Sequence, residues 1–152
     1  MKLRTSTVIA SVFGIGYFPF ASGTVASAVA VPLAIPILMH GGAIALAGAS
    51  LVAFAVGVWA CGDHVRATGR EDPSECVIDE VAGQWLACAF APVSLPGMAL
   101  AFVLFRLFDI WKPAPVRQLE RIPGGTGIVL DDAMAGVYAA LVLYGAGWFN
   151  LY

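Results

Sequence analysis

Cysteine, histidine and charged residues are all scarce in this 152-residue chain. The three cysteines, Cys61, Cys76 and Cys88, form no C-x-x-C pair, and neither histidine lies at zinc-ligand spacing from them. We therefore expect neither a zinc-thiolate site nor a disulfide framework, and interpret the cysteines as small apolar residues in helices. His64 is expected to be an exposed, isolated histidine with no catalytic role.

Basic residues are too few for a nucleic-acid-binding surface. The chain has eight Lys and Arg against ten Asp and Glu, which gives a formal net charge of −2. Binding along a phosphate backbone requires a concentrated basic surface, so we expect no nucleic-acid partner.

Hydrophobic residues, by contrast, are abundant. They make up 60% of the chain, and the mean hydropathy is +0.86, well outside the balance of a soluble domain. The lipid bilayer is therefore the expected solvent, and within lipid the backbone groups must be paired inside helices. The length is suited to a single domain, residues 1–152, with an all-α fold.

Five apolar stretches are predicted to form the helices of a multi-helical membrane bundle. They cover residues 24–39, 42–61, 77–91, 97–108 and 133–149. The second is long enough to cross a bilayer, whereas the first contains Pro32 and Pro36, and the third and fourth are shorter than the roughly 17 residues that a crossing needs. Those two are candidates for a hairpin that only dips into the membrane, so the number of spans stays open.

Positive charges predict the orientation of the bundle. They precede the first stretch, follow the second, or lie at or beyond the end of the fourth, and the turns at residue 40 and at residues 92–96 have none. Because Lys- and Arg-rich loops stay in the cytoplasm, the charged loops are expected to face the cytoplasm in a multi-pass membrane protein. The eight residues are Lys2, Arg4, Arg66, Arg70, Arg106, Lys112, Arg117 and Arg121.

Acidic residues gather at the same membrane face. Asp79 and Glu80 begin the third helix, Asp109 ends the fourth, and Asp131 and Asp132 begin the fifth. Carboxylates in apolar surroundings need a partner, and Mg²⁺ prefers oxygen ligands, so a shared metal site is expected. Acidic residues at helix starts also complement the helix dipole, but that alternative leaves Asp109, near a helix end, unexplained.

Four separated motifs resemble those of the phosphatidylglycerophosphatase A family. They are FGIGYFPFASGTVAS at residues 13–27, DEVAGQW at 79–85, RLFDIWKP at 106–113 and GTGIVLDDAMAG at 125–136. The family usually has APGTWGS where this chain has ASGTVAS, so Ser22, Val25 and Ala26 depart from its pattern. Four motifs in the same order are far more specific than any single one.

The resemblance implies Mg²⁺-dependent hydrolysis of the phospholipid phosphatidylglycerophosphate to phosphatidylglycerol and phosphate. Such chemistry needs a metal held by carboxylates and a nearby cation. The predicted metal ligands are Asp79, Glu80, Asp109, Asp131 and Asp132, although Asp79 and Glu80 point about 100° apart on an ideal helix. The predicted catalytic residues are Glu80, Asp109, Lys112, Asp131 and Asp132, and the predicted substrate-binding residues are Gly23, Thr24, Ser27, Arg106 and Lys112.

Several alternatives remain open at this point. A cysteine phosphatase loop is absent, because Cys61 and Arg66 enclose four residues where that loop needs five. Attack by water and attack by a carboxylate are not distinguished, nor are the number of metal ions and the oligomeric state. A small transporter or proton relay that uses Glu80, Asp109 and Asp132 is the alternative function.

Overall fold

The computed structural model describes residues 4–151, and regular structure in this range is entirely helical, as predicted. Lys2, counted above among the positive charges, lies outside the described residues. A short 3₁₀ helix, Ile15–Tyr17, lies between the first two α-helices. The α-helices are α1 (Thr5–Ala10), α2 (Ser22–Thr68), α3 (Ile78–Cys88), α4 (Leu95–Trp111), α5 (Val116–Leu119) and α6 (Gly125–Trp148).

Helix α2 contains both of the first two predicted stretches and reverses direction between them. Gly42 has a φ of 70° and a ψ of −172°, a backbone conformation that is readily available only to glycine. The two halves pack against the same helix, because the Trp85 indole N–H donates to the Ala30 carbonyl at 2.9 Å and the Ser50 hydroxyl donates to the Ala82 carbonyl at 2.7 Å. The chain therefore forms a helical hairpin with its bend at Gly42.

Two of the described helices are long and apolar enough to cross a membrane, namely α2 and α6. Helix α3 has 11 residues and α4 has 17, so α3 is too short for a full crossing and α4 is barely long enough. The expectation of about five apolar membrane helices is therefore met only in part.

Helix α3 lies at the centre of the bundle and approaches α6 very closely. A Cβ atom on Gly136 would lie 2.5 Å from the Gly83 carbonyl oxygen, and one on Gly83 would lie 2.5 Å from the Asp132 carbonyl oxygen. Only residues without a side chain allow the two backbones to come this close. Since Glu80 precedes Gly83 by about one helical turn, the contact also brings Glu80 near Asp132.

The start of α3, the end of α4 and the start of α6 meet at one end of the bundle. Arg106 of α4 contacts Glu80 of α3 there, and Gly62 of α2 packs against Gly125 of α6. The opposite end is apolar, because Leu38, Leu46 and the end of α3 belong to one buried hydrophobic cluster. The fold thus gathers the charged segments at one end, as the distribution of positive charges predicts.

Replacing Gly136 with alanine is expected to destabilise the bundle by about 1–3 kcal/mol, because the added methyl group meets the α3 backbone, which cannot move aside locally. Thermal unfolding of the detergent-solubilised protein measures this effect. Gly145→Ala, in the same helix but with no atom within 4 Å of the added Cβ, is the matched control and should unfold at or above the wild-type temperature. Equal unfolding temperatures for the two variants would contradict the close approach.

Candidate active site

A cavity of about 980 Å³ opens at the charged end of the bundle. The starts of α2, α3 and α6, the end of α4 and the connecting segments around residues 71–77 and 120–124 form its wall. Among its lining residues are nine that the sequence singled out, namely Gly23, Thr24, Asp79, Glu80, Arg106, Asp109, Lys112, Asp131 and Asp132.

Three carboxylates from three different helices converge in this cavity. Glu80, Asp109 and Asp132 each have a carboxylate oxygen within 4.8 Å of those of the other two, and all three residues are buried. Oδ2 of Asp132 is buried and has no hydrogen-bond partner among the described residues. A buried, unpartnered carboxylate oxygen is costly unless a cation binds it, so this donor set fits a hard divalent cation with oxygen ligands.

Arg106 is fixed between two of these carboxylates. Its Nη1 lies 2.6 Å from Oε2 of Glu80 and 2.6 Å from Oδ2 of Asp109. Each of the three side chains is at most 15% exposed, so the charges interact in surroundings with little water. In the structure the guanidinium thus pairs with carboxylates of the protein, and the role of Arg106 in substrate binding stays a prediction.

The start of α2 packs directly against Glu80. A Cβ atom on Gly23 would collide with the Glu80 carboxylate, so this glycine permits the contact. Ser27, one turn further along, is fully buried and donates its hydroxyl to Oε2 of Glu80 at 3.0 Å. Gly23 and Thr24 line the cavity, while Ser27 lies behind Glu80 and holds it in position.

Asp79 and Asp131 lie in the cavity wall but outside the group of three. Each uses Oδ1 to accept the backbone N–H of the following residue, Glu80 at 2.9 Å and Asp132 at 3.0 Å. Oδ2 of Asp131 accepts a hydrogen bond from the Lys112 ammonium at 2.9 Å. Of the five predicted metal ligands, the structure therefore groups three, and it pairs Asp131 with a cation of the protein.

Lys112 ends α4 in the left-handed conformation, with φ 50° and ψ 61°, and its N–H donates to the Phe108 carbonyl. Such a conformation costs a non-glycine residue roughly 1–2 kcal/mol, and after the last turn of a helix it is a common cap. The Lys112 ammonium lies 2.6 Å from Oε1 of Glu120 as well as 2.9 Å from Asp131. Burial alone would lower the pKa of Lys112, but its hydrogen bonds to Glu120 and Asp131 outweigh burial and raise the pKa, so the side chain stays protonated.

The expectation that His64 is exposed is wrong. His64 is buried, with Nδ1 3.0 Å from the Thr7 hydroxyl and Nε2 3.0 Å from Oε1 of Glu75, which also pairs with Arg70. Burial would raise the pKa of Glu75, but hydrogen bonds, the one from His64 foremost, outweigh it and lower that pKa. These contacts fix the segment around residues 71–77, which forms one wall of the cavity. Thr7, His64 and Glu75 are far apart in the sequence, and no spacing pattern predicts that they meet.

The comparisons with known proteins agree with the motifs. The family model for phosphatidylglycerophosphatase A matches residues 8–146. The chain is 33% identical to a phosphatidylglycerophosphatase A of Escherichia coli over 142 residues, covering 89% of this chain and 79% of the relative. It is 35% identical to the Haemophilus influenzae protein of that name over 100 residues, covering 64% of this chain and 61% of the relative.

A third relative has a different name. A Bacteroides thetaiotaomicron protein, provisionally named a phosphatidylinositol-3-phosphatase, is 36% identical over 148 residues, with 93% of this chain and 92% of the relative covered. No solved structure matches the chain. The comparisons give no support to the transporter alternative. With a family model that spans nearly all of it and two relatives of the same name, the chain belongs to the phosphatidylglycerophosphatase A family of phosphatases.

Proposed function

We propose that this protein hydrolyses the terminal phosphomonoester of phosphatidylglycerophosphate, with Mg²⁺ as cofactor, at the cytoplasmic face of a bacterial inner membrane. The observation that carries the proposal is the convergence of Glu80, Asp109 and Asp132 in a cavity that also contains Lys112. Family membership supplies the lipid phosphate as the substrate class.

Glu80, Asp109 and Asp132 are the residues that would hold the metal. Bound there, a divalent cation would neutralise part of the charge on the phosphoryl oxygens and on the departing alkoxide. Arg106 already offsets charge on Glu80 and Asp109, so Asp132, with one unpartnered oxygen, is the member of the group that most needs the added cation.

The phosphate itself is placed by Lys112 and by the start of α2. The Lys112 ammonium is aligned by Asp131, whose own position is fixed by the Asp132 N–H. Gly23 and Thr24 lie in the first turn of α2, where backbone N–H groups have no partner within the helix and favour anions. The two elements lie in the same cavity wall and supply positive charge and hydrogen-bond donors to one phosphate.

Hydrolysis breaks the bond between phosphorus and the glycerol oxygen and adds the oxygen of a water molecule to phosphorus. A buried carboxylate of the group can accept a proton from that water, and the leaving glycerol oxygen gains a proton to become a hydroxyl. A carboxylate that first attacks phosphorus and is then released by water gives the same products. Both routes require the acting carboxylate to be deprotonated before it accepts the proton or attacks phosphorus, and the other two to stay in place.

Membrane placement is supported by the two apolar helices and by the charge distribution. Seven of the eight Lys and Arg residues lie in the described part of the chain, and the bend at Gly42 and the turn between α3 and α4 contain none of them. The cavity lies at the end opposite those turns, where the substrate's phosphate would meet the cytoplasmic leaflet.

The direct test is phosphate release from phosphatidylglycerophosphate in detergent micelles, with Mg²⁺ and then with EDTA. We expect release with Mg²⁺ and its loss with EDTA, restored by excess Mg²⁺. Phosphatidylinositol 3-phosphate should be assayed in parallel, because one relative's name refers to that lipid. Faster hydrolysis of the inositol lipid would mean that this lipid, and not phosphatidylglycerophosphate, is the substrate. No phosphate release from either lipid would contradict the proposed activity.

Asp132→Asn should lower kcat for phosphatidylglycerophosphate by at least about 100-fold, because it removes charge from the carboxylate group while keeping its shape. The variant should stay folded, since it replaces a buried oxygen that has no partner in the structure. Asp72→Asn, in the cavity wall but outside the group, is the control and should retain activity. Wild-type turnover by the Asp132 variant would exclude this residue from the chemistry.

Gly23→Ala should reduce kcat/KM on the order of 10²-fold, because the added methyl group displaces the Glu80 carboxylate from the group. Gly48→Ala makes the same change in the same helix where the added Cβ meets no atom within 4 Å, so it should behave as wild type. Comparable activity of the two alanine variants would mean that the contact between Gly23 and Glu80 does not position the site.

A further inference from the structure

Lys112 holds two carboxylates that differ in their freedom to move. The side chain of Asp131 is 6% exposed and has its second oxygen fixed by the Asp132 N–H, whereas the side chain of Glu120 is 44% exposed. Glu120 follows the four-residue helix α5 and lines the same cavity as the three grouped carboxylates. Of the two partners of Lys112, Glu120 is the one that can be exchanged without unpacking the bundle.

We propose that Glu120 occupies the place on Lys112 that the substrate's phosphate takes, so that a dianionic phosphomonoester displaces it readily whereas a monoanionic phosphodiester displaces it only weakly. This inference rests on the proposed function, since it assumes that Lys112 binds the phosphate to be hydrolysed. Glutamate has one negative charge, and so does a phosphodiester. Replacing the glutamate with a phosphodiester therefore gains little electrostatic free energy at the Lys112 ammonium. A phosphomonoester has a charge of about −1.5 to −2 at neutral pH and displaces Glu120 with a net gain.

The membrane makes such competition useful. Ordinary phospholipid headgroups are phosphodiesters, and the lipid left after removal of a terminal phosphomonoester retains one phosphodiester group. Any of them could enter a cavity of about 980 Å³ with a free lysine at its wall. Glu120, already 2.6 Å from the ammonium, competes with these lipids as a group of the same chain, at an effective concentration set by the short segment that links it to Lys112.

Glu120→Gln tests the proposal, with Glu71→Gln as the matched control. Glu71 is an exposed carboxylate in the wall of the same cavity, so its replacement removes the same charge. Hydrolysis of phosphatidylglycerophosphate in uncharged micelles gives KM, and added phosphatidylglycerol gives an inhibition constant. We expect Glu120→Gln to lower the inhibition constant for phosphatidylglycerol and the KM for phosphatidylglycerophosphate by a similar factor, roughly tenfold, because neither lipid then has to displace the glutamate.

Glu71→Gln should leave both constants near their wild-type values. Wild-type constants in Glu120→Gln, or an equal fall in both variants, would overturn the proposal, the second because it would reflect only the charge of the cavity. Calorimetric titration with inorganic phosphate gives a readout that needs no turnover, and Glu120→Gln should bind it several-fold more tightly than Glu71→Gln. Absence of hydrolysis by the wild type would count against the proposed function, whereas equal phosphate affinities would count against the role of Glu120.

Discussion

The ion pairs of Arg106 are the interaction on which the rest of the site depends. Two buried carboxylates on different helices repel each other and lose their hydration, so burying them together is unfavourable without a shared cation. Arg106 meets Glu80 and Asp109 at 2.6 Å each and thereby joins α3 to α4. The carboxylates can consequently be held in place before any substrate or metal arrives, which is the preorganisation that electrostatic catalysis requires.

Close approach of the helices is the second constraint, because charges on separate helices meet only if the backbones allow it. Gly83 and Gly136 bring α3 against α6, and Gly23 brings the start of α2 against the Glu80 side chain. In a bundle with a largely apolar exterior, small residues are the usual means of packing helices this tightly. The glycines therefore determine the distance between Glu80 and Asp132, while Arg106 offsets the charges of Glu80 and Asp109.

The sequence predicted that the acidic residues meet at one end of the bundle, but it did not predict which side chains contact one another. One-sided positive charge and helix order were enough to place Glu80, Asp109 and Asp132 at one end. Local patterns do not specify which side chains meet across the bundle, such as Ser27 with Glu80, or His64 with Glu75. The two apolar stretches on either side of residue 40 were predicted as separate helices, and the structure confirms the break between them, since the backbone bends at Gly42.

The two cations of the site have different surroundings, and the difference matches different tasks. Arg106 is 15% exposed between partners that are each 11% exposed, so its contacts are built into the packing of α3 and α4. Lys112 lies beyond the end of α4, is 24% exposed, and has one rigid and one half-exposed partner. An active site must keep its charged side chains in place while substrate and product anions exchange. Packing fixes Arg106 between its two carboxylates. Lys112, by contrast, has in Glu120 a half-exposed partner that another anion can replace.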